Sequence, residues 1–183
     1  MIYLMALVLG AIYSLGFAPF DFSPLTVIAI GGLYYLLQHP GVQHKPRRAS
    51  LVAWLFGLGQ YGVGASWVYV SIHVYGNAPP PLALFMVALF VATLALLFVL
   101  PLGWCFSRLQ MSRGSWTSVF VFVALWVLLD WVSTWLFTGF PWLLPGYAGL
   151  DTPIASLAPL FGVLGTGLFL CLSATALAAM LVN

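Results

Sequence analysis

Asp130 is the one acid inside a long apolar run, Thr117–Phe137. It lies about seven residues from the end of that run, so about 10 Å deep at about 1.5 Å per residue. A carboxylate at such a depth costs up to about 3 kcal/mol, which makes an intramembrane acid a candidate functional residue. The competing reading is a satisfied structural acid: Ser133 and Thr134, one turn on, could donate to it, or it could carry its proton. No lysine or arginine falls in an apolar run to pair with it.

A second candidate is the segment Thr138-Gly139-Phe140-Pro141-Trp142-Leu143-Leu144-Pro145-Gly146-Tyr147. It is apolar yet interrupted twice by proline, so it cannot continue a helix. Non-helical backbone at membrane depth is tolerated only where protein or a water-filled cavity covers it. The segment therefore reads as a re-entrant or interfacial hairpin that brings Trp142 and Tyr147 to the headgroups. An aromatic-belt anchor without chemistry is the alternative. The same pair of readings applies to Trp67, Tyr69 and His73 in Trp67-Val68-Tyr69-Val70-Ser71-Ile72-His73, where the histidine is most simply an interfacial polar residue. No catalytic constellation stands out. Cys105 and Cys171 sit in apolar runs as small buried hydrophobes, without metal-ligand spacing. Nothing in the spacing selects a Ser71, His73 and Asp151 or Asp21 set.

The elements that must position these residues follow from composition. Charged residues make up 4% of the 183 and hydrophobic ones 63%, against roughly 25% charged in a soluble domain. A bilayer is the solvent such a chain requires. Six apolar segments are bounded by proline, glycine or charge: Ile2–Phe17, Leu25–Leu37, Leu51–Val70, Leu82–Phe106, Thr117–Phe137 and Ile154–Val182. They lack period-2 alternation and are too long for barrel strands, so they are helices. The expected fold is an all-α membrane protein: a bundle of about six transmembrane helices with an outer-face hairpin, forming one domain over residues 1–183. The first segment lacks a basic start and an A-x-A site and reads as a retained helix, not a signal peptide.

All five basic residues fall in two short connections, Lys45/Arg47/Arg48 and Arg108/Arg113. Loops 38–50 and 107–116 follow the second and fourth segments, so they share a side, and the positive-inside rule makes that side cytoplasmic together with the N-terminus. The formal charge of +2 is too small and too local for nucleic-acid binding. Gly62-x-x-x-Ser66 and Gly162-x-x-x-Thr166 fit the small-residue pattern of close helix approach and are read as contacts within the chain. No internal repeat supports an inverted-repeat transporter.

These same strings carry a family resemblance. The pieces are Leu15-Gly16-Phe17-Ala18-Pro19-Phe20-Asp21 with Pro24, Gly57-x-Gly59, and Ser66-Trp67-Val68-Tyr69-Val70-Ser71-Ile72. They continue with Ala124-Leu125-Trp126, Trp135-x-x-Thr138-Gly139-Phe140-Pro141-Trp142-Leu143, Gly146-Tyr147 and Leu157-Ala158-Pro159-x-x-Gly162-Val163. In order and spacing the chain resembles the N-terminal membrane domain of bacterial apolipoprotein N-acyltransferases over essentially its whole length.

The resemblance implies an inner-membrane location and a reaction. An acyl chain passes from a membrane phospholipid to the amino group of a diacylglyceryl lipoprotein precursor, through a thioester made by a Glu/Lys/Cys set in a separate nitrilase-like domain. No cofactor or metal is implied. The membrane helices would admit lipid sideways, with Gly139, Phe140, Pro141, Trp142 and Tyr147 at the entrance and Trp67, Tyr69 and His73 on the same rim. The chain contains no glutamate, so it is expected to hold no catalytic residue and to be inactive alone, as a truncated form or one part of a split enzyme. The family's fifth span pairs its acid with an arginine three residues on, whereas here Ser133 follows Asp130. A non-enzymatic lipid-binding scaffold or small transporter is the alternative reading.

Overall fold

The structure, a computed structural model, describes residues 1–182. Six helical segments cross the molecule: α1 (Ile2–Gly16), α2 (Ser23–Leu37), α3 (Pro46–Gly64), α4 (Pro80–Arg108), α5 (Trp116–Ser133) and α6 (Pro153–Val182). Among the described residues no strand is present. Three of the helices, α4, α5 and α6, are long and apolar enough to cross a membrane, and α1 and α2 are shorter apolar helices. The protein is a helical membrane bundle, and its surface says so. Leu84, Phe85 and Leu89 on α4, Phe120 and Leu128 on α5, and Leu160, Leu177 and Leu181 on α6 all face outward. Water would not tolerate such a surface, whereas lipid does.

Helix boundaries have local causes. α4 carries one π turn, Ala95–Val99, just before Pro101. The proline lacks an N–H and crowds the carbonyl four residues back, so the helix widens there. α5 ends at Ser133, short of the expected Phe137. The Ser133 and Thr134 hydroxyls donate to the carbonyls of Asp130 and Trp131, both at 2.7 Å, and thereby occupy last-turn acceptors. Phe137 and Thr138 then take left-handed backbone, φ 52° and 76°, which turns the chain away. α3 likewise stops at Gly64, short of Val70, and its continuation is a short helical piece, Val68–Val70, and a π turn, Ser71–Tyr75.

The interior is an aromatic ladder. Tyr13, Phe56 and Trp126 meet pairwise with ring centroids 6.0 Å apart, and Phe122, Tyr34 and Phe106 extend the stack. α1 packs on α3 at van der Waals range of the backbones: a Cβ on Gly10 would fall 1.9 Å from the Phe56 carbonyl oxygen, and one on Gly59 2.1 Å from that of Leu7. Small residues permit this approach, which dispersion forces then reward. The two expected small-residue motifs behave otherwise. Gly62 is exposed with nothing near its would-be Cβ. Gly162 is a break in α6 at φ 64°, ψ −172°, a conformation essentially reserved for glycine. Neither glycine makes the close approach expected of it, whereas Thr166 is buried against Gly146 and donates back to the Gly162 carbonyl at 3.0 Å.

The bundle has two unlike ends. Gln43 Nε2 donates to the Met111 carbonyl at 2.9 Å, joining the two basic connections, and Met1 lines a groove with His39 and Arg48. At the other end gather the α1–α2 turn, the end of α3 and the segment after α5.

Candidate functional site

The segment after α5 is built from unusual backbone. After Gly139 (φ 87°), the Phe140 N–H donates to the Ser133 carbonyl at 2.7 Å and the Trp142 N–H to the Phe140 carbonyl at 2.8 Å. Leu143 is again left-handed at φ 61°, and a single helical turn, Pro145–Ala148, follows. Neither proline could donate to a helix ladder, so the chain folds back on itself as a hairpin.

Three bonds and contacts seat this hairpin on the bundle. The buried Tyr13 hydroxyl donates to the Leu143 carbonyl at 2.7 Å. The Trp142 indole N–H donates to the Gly64 carbonyl at 3.0 Å, one of the acceptors left free where α3 ends. Leu143 itself is buried and its side chain packs over Gly64. Rings then line up along the hairpin: Trp142 with Trp67 at 5.3 Å, and Phe140 with Phe90 at 5.3 Å and Tyr61 at 6.5 Å.

Beside it opens a groove of about 800 Å³. Its walls come from three stretches far apart in the chain: Ser14 with the Phe17–Asp21 turn, Val63 to Trp67, and Pro141 to Leu143 with Tyr147, Leu150 and Asp151. Trp142 and Tyr147 are each 47% exposed and Trp67 is 45% exposed, so aromatic faces and edges remain available. The lining is mostly apolar, with two carboxylates at the rim and no cation among the described residues. Such a groove suits an acyl chain with a headgroup at its mouth.

Of the residues singled out from sequence, Pro141, Trp142, Tyr147 and Trp67 line the groove. Phe140 and Gly139 stand behind it as support. Tyr69 and His73 lie outside it: His73 Nδ1 bonds the Ala78 carbonyl oxygen at 2.8 Å and its ring sits 5.3 Å from that of Tyr69. Asp130 is elsewhere again, lining a space of about 20 Å³ with Gln60, Tyr61 and Trp126. The Gln60 side-chain oxygen is buried there without a partner. The hydroxyls of Ser133 and Thr134, which could have donated to the Asp130 carboxyl, serve backbone carbonyls instead. Sequence reasoning missed Tyr13 and Gly64 as parts of the site, and it named Asp21 and Asp151 only in a catalytic set it did not select; the signal available for these two was that they are the acids lying in turns between apolar segments. Among the described residues no group of three metal-ligating side chains forms.

A family model described as the apolipoprotein N-acyltransferase N-terminal domain matches residues 9–176. The chain is similar to the apolipoprotein N-acyltransferase of Pseudomonas paraeruginosa, 42% identical over 99% of this chain and 34% of that protein. It is also similar to that of Coxiella burnetii, 43% identical over 90% and 33%, and to that of Vibrio cholerae, 41% identical over 98% and 35%. The chain thus spans about a third of the length of the curated relatives it matches.

Proposed function

The chain belongs to the apolipoprotein N-acyltransferase N-terminal domain family, and from that membership we propose that it is the lipid-admitting membrane part of such an enzyme. Residues 1–183 act as one domain in the bacterial inner membrane. The N-terminus and loops 38–50 and 107–116 face the cytoplasm, because every lysine and arginine lies at that end. The aromatic end then faces outward, and its groove takes the acyl chain of a membrane phospholipid on the way to a diacylglyceryl lipoprotein precursor. Chemistry at the acyl carbon belongs to a nitrilase-like domain seated above this end, since no glutamate exists in these residues.

The observation that carries the proposal is the groove itself. It is apolar, walled by Trp67, Trp142 and Tyr147, and held open by a hairpin whose indole is bonded to the end of α3. Trp142, Pro141, Tyr147 and Trp67 are the residues assigned to lipid contact, with Gly139 and Phe140 shaping the hairpin. Tyr69 and His73 support the rim from outside, and Asp130 is a structural acid of the span. The test is acyl transfer from a phospholipid to a diacylglyceryl peptide in proteoliposomes. Residues 1–183 alone should give none, and the chain joined to a relative's nitrilase-like domain should restore it. In the joined protein, Trp142→Ala should raise the apparent KM for phospholipid. Turnover by residues 1–183 alone, or an unchanged KM in the Trp142 variant, would refute the assignment.

A further inference from the structure

Four of the five cations of the chain converge on one cleft at the end opposite the aromatic groove. Lys45, Arg47 and Arg48 belong to the first turn of α3 and its cap, Arg108 is the last residue of α4, and together with Pro46 they line a space of about 380 Å³. Close packing puts them there. A Cβ on Gly103 of α4 would lie 2.3 Å from the Ala49 carbonyl oxygen of α3, so the two charged helix ends are held side by side.

Among the described residues no acid neutralises these charges. Lys45 Nζ donates to the Pro40 carbonyl at 3.3 Å and Arg48 Nη1 to the Gly41 carbonyl at 3.1 Å, both neutral acceptors. Arg108 lies over the Trp104 ring at 5.1 Å. Asp21 and Asp151 sit in the groove at the far end, and Asp130 is within α5. The positive end of the α3 dipole adds to the same field. Among the described residues no carboxylate reaches the cleft, so it is open to an anion from outside.

The surface beneath the cleft indicates its source. On a helix, residues three and four apart share a face. Leu51, 39% exposed, is one turn along α3 from Arg47 and Arg48, and Trp104, 45% exposed, is one turn back along α4 from Arg108. A cationic cleft directly above an exposed apolar strip has the form of a phospholipid. We propose that this cleft binds the phosphate headgroup of an anionic phospholipid in the leaflet at the basic end, with its acyl chains along Leu51 and Trp104. This site is separate from the proposed acyl-donor groove and does not depend on it.

The experiment is native mass spectrometry of the 183-residue chain released from micelles holding equal phosphatidylglycerol and phosphatidylcholine. Phosphatidylglycerol should be retained at least about tenfold over phosphatidylcholine, and Arg47→Gln or Arg108→Gln should each lower retention about fivefold. Arg47→Lys should restore most of the loss. Arg113→Gln, which removes the same charge outside the cleft, should change retention by less than about twofold. Equal retention of the two lipids would overturn the proposal. So would an Arg113 variant as impaired as the Arg47 one, which would mean diffuse attraction without a site. Displacement of the lipid by millimolar inorganic phosphate would also overturn it, marking a free-phosphate site in place of a lipid one.

Discussion

Removing one hydroxyl, in Tyr13→Phe, should loosen the hairpin without unfolding the bundle. The Tyr13 ring is fully buried between Phe17, Phe56 and Trp126, and phenylalanine keeps all of those contacts. What disappears is the 2.7 Å bond to the Leu143 carbonyl. That carbonyl belongs to a buried residue, so its lost side-chain donor costs about 1–3 kcal/mol. Because the bond joins α1 to the hairpin, the cost falls on hairpin opening, whose population should rise between about 5-fold and about 150-fold. Leu144, 2% exposed, is a suitable reporter. In a Cys105→Ser, Cys171→Ala background, Leu144→Cys should react with a membrane-impermeant maleimide faster by that factor when Tyr13→Phe is added. Tyr34→Phe is the control: its hydroxyl shares a 2.6 Å bond with Ser118 at the far end of the ladder, and its loss should leave labelling at position 144 within about twofold. Unchanged labelling in the Tyr13 variant, or equal acceleration in the Tyr34 variant, would refute the tether.

Helix approach gives a paired prediction. Gly59→Val should abolish monodisperse protein in detergent, since the new side chain meets the Leu7 backbone, whereas Gly62→Ala should shift the melting temperature by no more than a degree or two. Gly162→Ala should destabilise the chain by about 1–3 kcal/mol in thermal unfolding, because φ 64° with ψ −172° excludes a Cβ. Pro101→Ala should let α4 close its π turn, which amide hydrogen exchange would register as added protection at residues 95–101; unaltered exchange would argue against the proline as its cause.

The membrane fold was legible from the amino acids alone. Charge is so scarce and so confined that composition names the solvent, and proline, glycine and basic residues mark most span ends closely, the far ends of α3 and α5 excepted. The non-helical break around Pro141 and Trp142 was legible too, because an apolar stretch broken twice by proline cannot continue a helix and must be covered by something. What composition could not say is which helix meets which. Inside lipid, apolar side chains gain little by choosing one helical neighbour over another, so partners are selected by small residues and single hydrogen bonds far apart in the chain. Gly10 meets Phe56, Tyr13 meets Leu143, Trp142 meets Gly64, and Gly103 meets Ala49. Those pairings bring Asp21, Trp67 and Asp151 to one groove, leave His73 outside it, and set Arg108 beside Arg47 at the opposite end. Span positions follow from a local property, the cost of charge in hydrocarbon; the sites follow from contacts that exist only once the bundle has closed.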